Sequence, residues 1–231
     1  PAIHELGNVR LAVLAFNAVP DGWDDQAEGW TRADWDPNRV AAAVRDARAR
    51  ADAVIVSVHW GYEYEMRVDP AQRDAAKLLL QAGADLVIGH HPHVVQAFEV
   101  DNGRCVAYSL GNCAFDQGQG ATRQGLVLRA FFDRGGLRAV QALPVGAGLR
   151  PQLVSLETAW DSMARLVAPQ RSSFACGHGT CQRVEAAPRN LEGTPSALFW
   201  GGRIDLTGDG VPEHVRRVRE QVVIYSDGAE V

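Results

Sequence analysis

The stretch AVIVSVHWGYEYEMRVDPAQRDAAKLLLQAGADLVIGHHPH, residues 53 to 93, decides the fold. It opens with an apolar, β-branched run ending in His59, the composition of a strand buried on both faces. Asp69 then stands where a helix cap belongs, and Pro70 takes the first helical position, where its missing N–H costs nothing. Gly83 falls just past the end of that helix, and DLVIG, residues 85 to 89, is a second apolar strand. Strand, helix and strand in this order predict a parallel unit.

Working outward, VRLAVLAFN (residues 9 to 17) reads as a further buried strand. The Trp-, Asp- and Gly-rich stretch from Pro20 to Trp35 reads as a long surface loop. DPNRVAAAVRDARARAD (residues 36 to 52) then carries Asp36 as a cap and Pro37 at the first turn, with Val40, Ala43, Val44, Ala47 and Ala51 on one face. That face packs on a sheet. The fold class is therefore α/β with a parallel sheet, whose functional crevice lies beyond the carboxyl ends of the strands.

Downstream the pattern turns antiparallel. VVQAFEV and RCVAYSL flank a DNG turn, and GLVLRAFFD and LRAVQALPV flank RGG, which predicts two hairpins. Beyond Gly146 periodicity weakens, so residues 1–148 are read as one domain and 149–231 as a smaller β-rich appended region.

Three of the seven histidines occupy four positions, His90, His91 and His93, directly after the DLVIG strand. Two imidazoles separated by one proline cannot share a helix face; Pro92 instead stiffens a tight loop that can aim both rings at one or two metals. His59, at the end of the other apolar strand, supplies a third ligand from a separate part of the chain. His4, His178 and His214 stand alone and read as surface or core residues.

The net charge of −5 and the absence of a basic block argue against a nucleic-acid or anionic-membrane partner. No apolar run approaches the roughly 20 residues that span a bilayer. The opening PAIHELGNVR has neither initiator Met nor signal-peptide pattern, which leaves an anchor or signal to an upstream segment. Cys105 and Cys113 are expected as buried thiols. Cys176 and Cys181 bracket GHGT, either as a small disulfide or, with His178, as a zinc knuckle.

VHWGYEYEMRVDPAQRDAAKLLLQAGADLVIGHHPHVVQAFEVDNGRCVAYSLGNCAFD resembles the later half of the capsule-synthesis (CapA/PgsA) family, which carries an HWG.EY block, a GaD.ViG.HPHv.q block and a YSLGN block in this order. The resemblance covers residues 8 to 145. It implies similarity to the calcineurin-like metallophosphoesterases, four-layer α/β/β/α sandwiches with a dinuclear Mn, Fe or Zn site. His59, His91 and His93 then become metal ligands, and His90 a catalytic neighbour able to protonate a leaving group. Glu63, Tyr64, Ser109 and Asn112 become substrate-facing residues.

The family's Asp- and Asn-bearing blocks, which precede this part, are absent from these residues. The resemblance thus implies a missing N-terminal segment of the same polypeptide, without which this piece is expected to be inactive. It further implies a metal-dependent hydrolase-like protein of capsule or poly-γ-glutamate handling, acting on an acidic polymer, a peptide or a phosphoester. The implied location is extracellular, periplasmic or membrane-anchored. The alternatives are a non-catalytic surface binding or assembly protein and a metal-dependent peptide-modifying enzyme.

Finally, DLTGDGVPE (residues 205 to 213) places oxygen donors at alternate positions around a glycine. Asp205, Thr207, Asp209 and Glu213 are the candidate calcium ligands, against the plainer reading of an Asp/Gly turn.

Overall fold

The apolar runs form adjacent parallel strands, as their composition requires. In the computed structural model the described residues are 1–19, 33–101, 103–117 and 120–154, followed by strand segments at 198–200, 203–204, 213–218, 221–226 and 229–230. Strands β1 (Ala2–Leu6) and β2 (Val9–Asn17) lead to helix α1 (Pro37–Arg50). Then come β3 (Ala53–His59), helix α2 (Pro70–Ala82), β4 (Leu86–His90), β5 (Phe98–Asp101) and β6 (Arg104–Ala107). These strands make one six-stranded sheet in the order β1-β2-β3-β4-β6-β5. The four central strands are parallel and the two edge strands antiparallel.

Both helices begin as their caps dictate. The Asp36 carboxylate accepts the Arg39 N–H at 2.8 Å. Asp69 and Gln72 form a reciprocal capping box, and Gly83, at φ +116°, ends α2 in the left-handed conformation that glycine allows. One face of the sheet packs under these helices through Val54, Val56, Val58 and Val87, against Val40, Val44 and Leu79.

The opposite face is covered by a second sheet. Here β7 (Gln124–Asp133) and β8 (Gly136–Gly146) form the hairpin predicted around RGG, and β9 (Gln152–Leu153) and β10 (Leu198–Trp200) pair with β8. Leu137 and Val140 of β8, with Leu128, Ala130 and Phe132 of β7, pack on Leu86, Cys105, Ile55 and Ile88. Helix layer, sheet and sheet follow one another. Strands on both sides of residue 148, the expected domain boundary, thus share this second sheet. A third sheet, β11 (Arg203–Ile204), β12 (Glu213–Val218), β13 (Gln221–Ser226) and β14 (Ala229–Glu230), is antiparallel throughout.

Two expectations need correction. Residues 94–97 of the first predicted hairpin are not a regular strand: their backbone bonds run irregularly, Gln96 N–H to Ser109 O and Tyr108 N–H to Ala97 O, so that β5 begins only at Phe98. Cys105 is buried as expected, its thiol pushed up to about 12 by desolvation, whereas Cys113 is exposed. Residues 2–6, which carry no strand pattern, form the additional strand β1. Most of the Pro20–Trp35 loop, Cys176, His178, Cys181 and the calcium candidates Asp205, Thr207 and Asp209 lie outside the described residues, and of Glu213 only the backbone, at the start of β12, is described.

Candidate metal centre

Parallel pairing brings the strand ends into line. His59 and His90 are register partners at the carboxyl ends of β3 and β4, and Asn17 at the end of β2 partners His59 in turn. The chain between β3 and β4 is held there by Trp60, which is 2% exposed. Its backbone N–H donates to His90 O at 3.0 Å, and its indole N–H to Tyr108 O at 2.8 Å. That second bond crosses the backbone of Gly89, where no side chain would fit.

The loop after β4 then turns sharply. His91 has φ +100° and His93 φ +59°, left-handed values that cost a side-chain-bearing residue about 1–2 kcal/mol each. Tyr64, at φ +63°, donates its backbone N–H to Pro92 O at 2.8 Å, which ties the β3–α2 connection to the histidine loop. Three strained residues converge on one spot.

The result is a compact donor set. One ligand atom each from Glu63, His91 and His93 lie within 4.8 Å of one another. The His59 and His91 rings are 4.6 Å apart between centroids, and those of His91 and His93 are 6.2 Å apart. Two of the three predicted ligands therefore sit together, and the third flanks them. Glu63, expected to face a substrate, instead belongs with the ligand atoms, its carboxylate 3.9 Å from His93 Nε2.

The other side of the His93 ring is committed. Its Nδ1 lies 2.8 Å from Asn112 Oδ1, while the Asn112 amide nitrogen donates to Thr122 O at 3.1 Å and Gln117 Oε1 at 3.2 Å. Asn112, expected to face substrate, is 5% exposed and in contact with His93. Ser109 is also buried, at 1%, and its Oγ accepts the Gly111 N–H within the turn. Tyr64 stacks on His93 with centroids 6.1 Å apart, receives the Gln117 amide N–H on its hydroxyl at 3.0 Å, and lines an open cavity of about 600 Å³ together with Gln117, Asp116 and Met66. Of the four residues expected to face substrate, Tyr64 alone lines this cavity.

His90 lies beside this set. Burial, with the nearby His59 adding to it, holds its imidazole below the usual value.

Two residues not singled out as site candidates hold the Glu63 loop in place: Gln72 of α2 and Gln96, which closes the HPHv.q block. Gln72 and Gln96 are 2% and 0% exposed and bonded to each other at 2.9 Å. Gln96 also donates to Glu65 O at 2.7 Å, pinning the loop from below. The spacing from Asp69 to Gln72 signals the capping box, but nothing local marks Gln96 as its partner.

Carboxylate and imidazole donors at the carboxyl edge of a parallel sheet, set close enough to share an ion, define an α/β protein with a candidate divalent-metal centre. The donor set suits a transition metal: nitrogen and oxygen ligands, with one imidazole oriented through its far nitrogen. The chain belongs to the bacterial capsule synthesis protein PGA_cap family, whose profile matches residues 1–117. It is similar to the PGA biosynthesis protein CapA of Bacillus subtilis, 38% identical over 110 residues, which is 48% of this chain and 29% of that protein. The capsule biosynthesis protein CapA of Bacillus anthracis is 36% identical over 107 residues, 46% of this chain and 26% of that protein. A probable polyglutamine synthesis accessory protein of Mycobacterium tuberculosis is 34% identical over 77 residues, 33% of this chain and 20% of that protein. The chain spans under a third of the length of these curated relatives. The family match includes every residue of the candidate centre but not the β7–β8 hairpin.

Proposed function

We propose that the chain carries the histidine side of a metal-dependent, hydrolase-like centre in a protein of capsule or poly-γ-glutamate synthesis, working at the cell surface. The observation that carries this reading is the shared position of Glu63, His91 and His93, with His93 Nε2 3.9 Å from the Glu63 carboxylate. A divalent Mn, Fe or Zn ion would be held by His91, His93 and Glu63, with His59 beside them; bound there, it would supply the Lewis acidity that makes water nucleophilic at neutral pH.

The chain's own groups have separate tasks in this reading. His90, partly buried beside the ligands, is the catalytic imidazole that passes a proton to the leaving group. Tyr64 and Gln117 meet the substrate in the adjoining cavity, and the Gln72–Gln96 pair keeps Glu63 in reach. The substrate is an acidic polymer, a peptide or a phosphoester. Four layers of the metallophosphoesterase kind would be completed by elements beyond the three described, and the remaining donors of a dinuclear site by other residues of the polypeptide.

Metal analysis of purified protein tests the reading. Wild type is expected to retain a divalent transition metal, and His91→Ala and His93→Ala to lose it; equal content in all three would overturn it. Parallel assays on phosphate esters and γ-glutamyl peptides then separate the substrate classes.

A further inference from the structure

The Asn112 side chain is oriented without ambiguity. Thr122 O can only accept, so the group facing it at 3.1 Å must be the amide nitrogen, and Oδ1 must then face His93. Gln117 is consistent with this: its Oε1 lies against the same Asn112 nitrogen, while its own amide nitrogen donates to the Tyr64 hydroxyl. An oxygen at 2.8 Å from His93 Nδ1 demands a proton on that nitrogen. In the neutral ring that leaves the lone pair on Nε2, on the side where Glu63 and His91 lie.

The backbone is built to bring Asn112 this close. Gly111 and Gly125 form an isolated antiparallel bridge, and Leu126 N–H donates to Leu110 O at 2.8 Å. A β-carbon at Gly125 would lie 1.7 Å from Asn112 O, so only glycine lets the loop approach β7. Phe115 and Tyr64 add ring contacts to His93, at 5.1 and 6.1 Å.

We propose that Asn112 is the positioning residue of the centre: it fixes His93 as the Nδ1–H tautomer and so presents Nε2 as the ligand nitrogen. The inference rests on the metal-centre reading for its purpose, but not for its geometry. Asn112 touches no substrate in this role; it acts through His93.

Long-range ¹H–¹⁵N correlation spectra of the metal-free full chain read the tautomer directly. Wild type is expected to show the Nδ1–H form at His93, Asn112→Asp to keep it, and Asn112→Leu to shift toward the Nε2–H form. Zinc titration is expected to show a loss of about 10- to 100-fold in affinity for Asn112→Leu, the range for removing such a partner, and near-wild-type affinity for Asn112→Asp. A wild-type His93 protonated at Nε2 overturns the proposal even if every variant misfolds, and so does a folded Asn112→Leu with unchanged tautomer and affinity. A wild type that shows the Nδ1–H form but binds no zinc would instead defeat the metal-centre reading and leave the orientation standing.

Discussion

At Gly89 a β-carbon would lie 1.9 Å from Tyr108 O and 2.2 Å from the Trp60 indole nitrogen, inside the hydrogen bond that joins them. Gly89→Ala must therefore break a buried bond and push two strands apart. The expected cost is about 3 kcal/mol or more, the sum of overpacking and a lost buried bond. Gly103, at φ +76° with nothing within 4 Å, provides the contrast. Its alanine variant should lose only the left-handed penalty of about 1–2 kcal/mol. Urea denaturation of both variants checks the difference, and equal losses would count against the packing argument. At this scale the sequence was partly legible. His91-Pro92-His93 announced itself because two imidazoles around one proline are a local pattern. The role of Asn112 was not legible, because its partners His93 and Thr122 are separated from it in sequence and meet only when the sheet is built.

Helix α2 and the loop before it form one mechanical unit. The Gln72 side chain caps the helix by accepting from Asp69 N–H, and donates to Gln96. Gln72→Leu leaves Gln96 Oε1 buried without that donor and opens the capping box, at an expected cost of about 1–3 kcal/mol. The same change should loosen residues 61–68, so limited proteolysis is expected to cut there before anywhere in α2. A variant that loses stability with no new cleavage in this loop would show that the glutamine pair does not hold it. The Asp52 carboxylate joins elements in another way, accepting the backbone N–H of Arg10 at 2.8 Å and its guanidinium at 3.1 Å. The guanidinium bond, then the backbone one, holds its pKa below the usual carboxylate value. Stability from a lowered pKa is present above the unfolded value, about 4, and disappears as pH falls through the folded one. Asp52→Asn should consequently lower the urea midpoint at pH 7, with the gap to wild type closing below pH 4. A gap that persists in acid would place the effect outside ionisation. Helices and central strands were legible because caps and β-branched runs are written locally. Strand β1 was not, since its mostly exposed AIHEL carries no apolar alternation and is held by pairing with β2.

Across the whole molecule, the parallel sheet was readable from the order of elements, whereas the way β7 and β8 cover its second face was not, because a hairpin's inward residues do not name the surface they meet. That layering matters for the site: Glu63, His91, His93 and Asn112 come from connections after β3, β4 and β6, which become neighbours only in the folded sheet. In the unfolded chain Glu63 is not held beside His91 and His93, so a metal bound by these three binds the native state in preference and stabilises it by linkage. At a free metal concentration 100 times Kd, the gain is about 2.7 kcal/mol. For a chain of this size that corresponds to a rise in Tm of about 5–10 °C. Thermal melts with manganese or zinc should show this rise in wild type, its reversal by chelator, and its loss in His91→Ala with His93→Ala combined. The Gly103→Ala variant, altered far from any donor, should keep the full shift despite its lower starting Tm. If the double histidine variant gained as much as wild type, the ion would be held elsewhere and the carboxyl-edge centre would have to be abandoned.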